Sequence, residues 1–134
     1  MTLSDLVRDG YMTNNDYNCA ETMLQAANEA YRLGLDERAM HAASPFGGGM
    51  GCERTCGALT GALMALGCMR ARDRSHRDPD LDALRDELVR RFADHFGSID
   101  CAAIKQTHRS ESEKCEPVVQ AAAELLEQVL ERDA

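Results

Sequence analysis

Cys56-Gly57-Ala58-Leu59-Thr60-Gly61-Ala62-Leu63-Met64-Ala65-Leu66-Gly67-Cys68 is apolar or small at nearly every position. A helix made from such a run has no polar side to offer water, so it belongs at the centre of a protein with other helices around it. Period-two alternation is absent, which argues against a strand. The run is also too short to cross a bilayer, and Thr60 interrupts it. Gly57 and Gly61 lie four apart, on one face, where a second backbone can approach closely. A glycine-lined face also suits self-association, so a homo-oligomer is among the expectations.

The segments around this run read as further helices. The spacing predicts a short helix over Leu3 to Asp9, stopped by Gly10, and turn chemistry at Thr13 to Asp16. Asn18 followed by Glu21 forms a capping pair, with Asp16 as a rival cap, for a helix running to about Leu33. Its apolar stripe is Ala20, Met23, Leu24, Ala27 and Tyr31, and Gly34 ends it. Asp36 caps a short helix that Pro45 closes. The central helix is predicted to begin near Cys52, after Phe46-Gly47-Gly48-Gly49-Met50-Gly51, and to end near Met69. Asp78-Pro79 opens a long helix with Leu81, Leu84, Leu88, Phe92 and Phe96 on one side. Ser98 is the expected cap of a short helix carrying Cys101 and Ile104. After a polar loop from Thr107 to Lys114, Pro117 suits the first position of a last helix. Val118, Val119, Ala122, Leu126, Val129 and Leu130 form its inner stripe. The expectation is an all-α, single-domain bundle over residues 1–134, with four or five main helices and several short ones.

A chain of 134 residues can bury a real core without staples. Lysine and arginine number 15 against 23 aspartates and glutamates, a net charge of −8. No basic stripe is present and aromatics are 4%, which excludes nucleic acid as an expected partner. The first residues lack a basic and then apolar leader, and no run is long enough for membrane insertion. A cytoplasmic protein is expected, and there thiols stay reduced.

The six cysteines are Cys19, Cys52, Cys56, Cys68, Cys101 and Cys115. Cys19, Cys56, Cys101 and Cys115 each fall at or beside the predicted start of a different helix. Helix starts present unpaired N–H groups and partial positive charge, both of which favour a thiolate. If the four starts converge, the expectation is an electropositive pocket with lowered thiol pKa values. Cys68, at the end of the central helix, reads as a small packing residue. Cys52-x-x-x-Cys56 is neither a zinc knuckle nor a thioredoxin-type pair. No two of His41, His76, His95 and His108 stand at helical ligand spacing. His95 could reach the cysteines as a base, although a surface position is the plainer reading. The glycine run lacks the Lys-Ser/Thr of a phosphate loop and reads as close packing or a hinge beside Cys56.

Cys56-Gly57-Ala58-Leu59-Thr60-Gly61, with Cys19 in Asn18-Cys19-Ala20-Glu21, Cys101 after Phe96-Gly97-Ser98, and Cys115, resembles the C_GCAxxG_C_C family of redox-active proteins. The resemblance covers about Tyr11 to Leu130. It implies four signature cysteines and a redox role, with no assured substrate. No Cys-x-x-Cys-His signature is present, so haem is not implied and the cofactor is left unknown.

These readings lead first to reversible dithiol–disulfide exchange, that is, a thiol-disulfide oxidoreductase serving a redox partner protein or small thiol. Cys56 is expected as the reactive thiolate and Cys19 as its partner, with Cys101 and Cys115 as a second pair. Cys52, four residues before Cys56 on the expected helix, would be a candidate resolving thiol. A second reading gives the same four cysteines to a metal or iron–sulfur centre, and a third makes the chain a non-catalytic adaptor.

Overall fold

A computed structural model describes residues 1–110 and 112–133; the Thr107 to Lys114 loop expectation thus extends over one position, 111, outside them. Eight α-helices occur among the described residues: α1 (Leu3–Arg8), α2 (Tyr11–Asn15), α3 (Cys19–Tyr31), α4 (Glu37–His41), α5 (Gly57–Arg70), α6 (Pro79–Phe96), α7 (Cys101–His108) and α8 (Glu116–Asp133). The fold is all-α. Four helices, α3, α5, α6 and α8, carry most of its length. α5 packs against α3, α6 and α8, and α1 closes the bundle against α3 and α8.

The central position of α5 follows from its composition: Ala58, Leu59, Ala62, Ala65 and Leu66 are all buried. Around them lie Met23 and Leu24 of α3, Leu88 and Phe92 of α6, and Val119, Leu126 and Val129 of α8. α3 packs on the glycine face of α5. A Cβ at Gly61 would stand 2.7 Å from the Ala20 carbonyl oxygen and 2.8 Å from the Met23 Cβ. One at Gly57 would stand 2.5 Å from the Cys19 sulfur. The face expected to suit self-association is therefore covered by a helix of the same chain.

Local chemistry sets most helix ends. The Asn18 side-chain oxygen accepts from the Glu21 amide at 2.8 Å, and Glu21 accepts from the Asn18 amide at 2.9 Å, which is the reciprocal cap expected for α3. Pro79 opens α6, with the buried Asp78 carboxylate accepting from Leu81, Arg72 and Asp73 amides. Those three amides hold the Asp78 carboxyl below its usual range.

Several boundaries differ from expectation. Tyr11–Asn15 is a helical turn, ended by Asp16 in the left-handed region, and not an open turn. α3 stops at Tyr31 because Arg32, ahead of Gly34, takes the left-handed cap. The Ser98 hydroxyl accepts from the Asp100 amide instead of capping α7, whose cap is Asp100. α8 begins one residue before Pro117. The largest correction concerns Cys52. Gly49–Glu53 forms a wide turn in which Gly49, Met50, Gly51 and Glu53 have φ of 62°, 64°, 71° and 58°, and α5 starts only at Gly57. Four left-handed residues in five cannot continue a right-handed helix. Cys52 and Cys56 are thus not neighbours on one helix face, and Cys52 is exposed. The resolving role inferred from their four-residue spacing loses its basis.

Candidate functional site: a four-cysteine cavity

Cys19 is the first residue of α3 and Cys101 the first of α7. Cys56 occupies the cap position of α5, and its carbonyl accepts from the Leu59 and Thr60 amides. Cys115 directly precedes α8, and its carbonyl accepts from the Val119 amide at 3.0 Å. Four helix starts separated by up to 96 positions in the chain thus each carry a thiol.

A short backbone pairing brings two of them side by side. Thr55 and Asp100 form an antiparallel bridge. The Cys56 amide donates to the Ile99 carbonyl at 2.8 Å, and the Cys101 amide donates to the Arg54 carbonyl at 2.5 Å. Gly57, lacking a Cβ, leaves room for the Cys19 sulfur beside Cys56. The result is one cavity of about 220 Å³ lined by Cys19, Cys56, Cys101 and Cys115 together. Met12, Ile104 and Val118 form its apolar wall, and Lys105, Arg109 and Lys114 also line it.

Within the cavity the thiols fall into two classes. Cys56 and Cys101 are buried, at 6% and 7% exposure, while Cys19 and Cys115 are half-buried. Backbone amides do point at the sulfurs, as helix starts require: Gly48 and Ala20 at Cys19, Ala58 and Leu59 at Cys56. Their effect is nevertheless outweighed. Burial pushes the Cys56 thiol up to about 12, with the neighbouring Cys19 and Cys101 charges adding to the rise. Burial also raises Cys19 and Cys101; at Cys101 the Lys105 ammonium pulls the other way. The expectation of uniformly lowered thiol pKa values is therefore corrected. Removing a small anion from water costs more here than a few partial charges return.

The remaining candidates stand apart. Cys52 is exposed on the glycine turn, its thiol 3.5 Å from the Gly49 carbonyl, and Cys68 is exposed near the end of α5. Neither lines the cavity. His95 is exposed, with its ring edge-on to Phe96, and is not a cavity residue. Lys105, Arg109 and Lys114 were not singled out from the sequence. Their only signal was three cations within a ten-residue stretch that begins in the last turn of Cys101's helix and leads to Cys115. The glycine turn does border the site: Gly48 lines the cavity, and Glu53 of the turn pairs with Lys105 at 2.8 Å. All six cysteines are free thiols. Among the described residues no three histidine, cysteine, aspartate or glutamate side chains are grouped closely enough to hold a metal ion. No helix among them is long and apolar enough to cross a membrane.

A helical bundle that gathers four thiols from four helix starts into one small hollow defines a class of cysteine-motif protein. The family model described as "Putative redox-active protein (C_GCAxxG_C_C)" matches residues 17–129, and the chain belongs to that family. Comparison with curated proteins and with solved structures gave no match.

Proposed function

We propose that the protein carries out reversible dithiol–disulfide exchange in this cavity. The observation that supports it is the gathering of Cys19, Cys56, Cys101 and Cys115 around a single hollow. The two expected pairs, Cys19 with Cys56 and Cys115 with Cys101, then each combine a half-buried thiol with a buried one. This division suggests the order of events and reverses the one expected for Cys56. An incoming disulfide needs room at the sulfur it meets, so the half-buried Cys19 or Cys115 attacks first.

The Cys19 thiolate attacks one sulfur of RS–SR, forming Cys19–S–S–R and releasing RS⁻, which takes up a proton. Cys19 is then uncharged, and its repulsion of a Cys56 thiolate disappears. Cys56 loses its proton to solvent and attacks the Cys19 sulfur, releasing the second RS⁻. Two electrons pass from the two cysteine sulfurs to the incoming disulfide, leaving a Cys19–Cys56 disulfide and two RSH. Reduction by a partner dithiol runs the same steps backwards. A reducing compartment such as the cytoplasm would keep the pairs available.

The test is stoichiometric oxidation of the reduced native protein with a small disulfide, followed by peptide mapping. Intramolecular bonds among the four cavity cysteines are expected, with Cys19–Cys56 and Cys101–Cys115 dominant. Cavity thiols that stay silent in the native state, with modification only at Cys52 and Cys68, would overturn the proposal and favour a packing role.

A further inference from the structure

We infer that the cavity selects a small disulfide whose substituents carry negative charge. This rests on the exchange reading above and adds the chemical class of its substrate.

Charge carries the inference. The chain has 23 acidic side chains and only 15 lysines and arginines. Yet among the described residues no aspartate or glutamate lines the cavity, while Lys105, Arg109 and Lys114 all do. A protein of net charge −8 repels anions over most of its surface. An opening lined, among the described residues, by three cations and no acid is a local reversal of that field, and a cleft with low-dielectric walls concentrates such a field.

The three cations are not equivalent. Lys105 is tied to Glu53 at 2.8 Å, so part of its charge is already answered. Arg109 and Lys114 are exposed and, among the described residues, make no ion pair. Local structure holds Lys114 next to the attacking thiol Cys115. Ser110 and Lys114 form an antiparallel bridge, and the Lys114 amide donates to the Ser110 carbonyl at 2.8 Å. The Arg109 amide donates to the Lys105 carbonyl at 3.3 Å, which continues α7 toward the same rim. Carboxylates on a bound substrate would thus meet Arg109 and Lys114 while the disulfide reaches the sulfurs below.

Size points to a small molecule. At about 220 Å³ the cavity is below the roughly 300–1,000 Å³ of usual small-molecule sites. It holds one arm of a short aliphatic disulfide against the apolar wall. It is too small for a folded partner's loop to enter with its side chains.

The experiment uses the reduced full-length protein and three aliphatic disulfides of similar length: 3,3′-dithiodipropionate as a dianion, bis(2-hydroxyethyl) disulfide as a neutral molecule, and cystamine as a dication. Each rate of mixed-disulfide or protein-disulfide formation at neutral pH is divided by the rate of the same compound with mercaptoethanol, which removes leaving-group differences. The expected order is dianion, neutral, dication. At low salt the normalised dianion rate should exceed the dication rate by about tenfold or more, and the ratio should shrink at 0.5 M salt, where the screening length falls to roughly 4 Å. In Arg109→Gln/Lys114→Gln the dianion-to-neutral ratio should fall toward one. The salt dependence needs no variant, so a misfolded double mutant would not spoil the test. If all three compounds oxidise the cavity cysteines with the neutral or the dication preferred, the selectivity inference is wrong and the exchange reading stands. If none of them reacts with the native cavity thiols, the exchange reading itself fails.

Discussion

Replacing Gly61 by alanine should destabilise the bundle, although the same change in an ordinary helix interior stabilises it by about 1 kcal/mol. The added Cβ would lie 2.7 Å from the Ala20 oxygen, 2.8 Å from the Met23 Cβ and 3.0 Å from the Ala20 Cα. Comfortable carbon contacts are about 3.5–4.0 Å, so α3 would have to retreat by roughly 0.7 Å or more. None of these atoms is the loose end of a flexible side chain, so the upper part of the roughly 1–3 kcal/mol cost of overpacking applies. Subtracting the propensity gain leaves a net loss of about 1–2 kcal/mol. Gly67 provides the control on the same helix. Nothing lies within 4 Å of a Cβ built there, so Gly67→Ala should gain about 0.5–1 kcal/mol. The two variants should differ by about 1.5–3 kcal/mol, which for a chain of this length is roughly 5–11 °C in Tm. Thermal and urea unfolding of the reduced protein measure this directly. A Gly61→Ala protein as stable as the parent, or both alanines moving Tm in the same direction, would refute the close packing of α3 on α5.

Alkaline stability is a second prediction. The Cys56 thiol titrates at about 12 when folded and at about 8.5 when unfolded, so above that lower value the unfolded chain loses its proton first. Stability should be flat with respect to this group below about pH 8.5 and fall by up to about 1.4 kcal/mol per pH unit above it. Urea titrations between pH 8.5 and 10, before the raised Tyr11 contributes, should show the fall, and Cys56→Ala should make it shallower, with the burial-raised Cys19, Cys101 and Cys68 thiols supplying the rest. Constant or rising stability over that range would contradict the burial argument. Asn18→Ala removes the cap of α3 and its 3.0 Å link to the Ser44 carbonyl, so unfolding studies should register a loss of about 1–2 kcal/mol. Because Asn18 lines the cavity, the same variant should also show faster alkylation of Cys19; an unchanged rate would mean that the cap does not position that thiol.

Much of the fold was legible because helix formation is a local matter. The apolar-or-small run from Ala58 to Leu66, broken only by Thr60, announced a central helix, and the Asn18–Glu21 and Asp78-Pro79 pairs marked two helix starts. Gly57 and Gly61 marked the face that another backbone would meet, though not which backbone. The error at Cys52 has a clear cause. Four-residue spacing looks the same on paper whether the intervening residues are helical or left-handed, and the bridge between Thr55 and Asp100 ends the turn at a point no local signal reveals.

Residue order alone determined that Cys19, Cys101 and Cys115 would stand at or beside helix starts, since caps, prolines and glycines act over three or four neighbours, whereas the start of α5 at Cys56 was set by the long-range bridge between Thr55 and Asp100. Tertiary packing decided that those starts meet, that Lys105, Arg109 and Lys114 border the same hollow, and that Cys56 is a weak acid there. Each of these depends on how many atoms from distant segments displace water around a group, a quantity that no short stretch of chain contains.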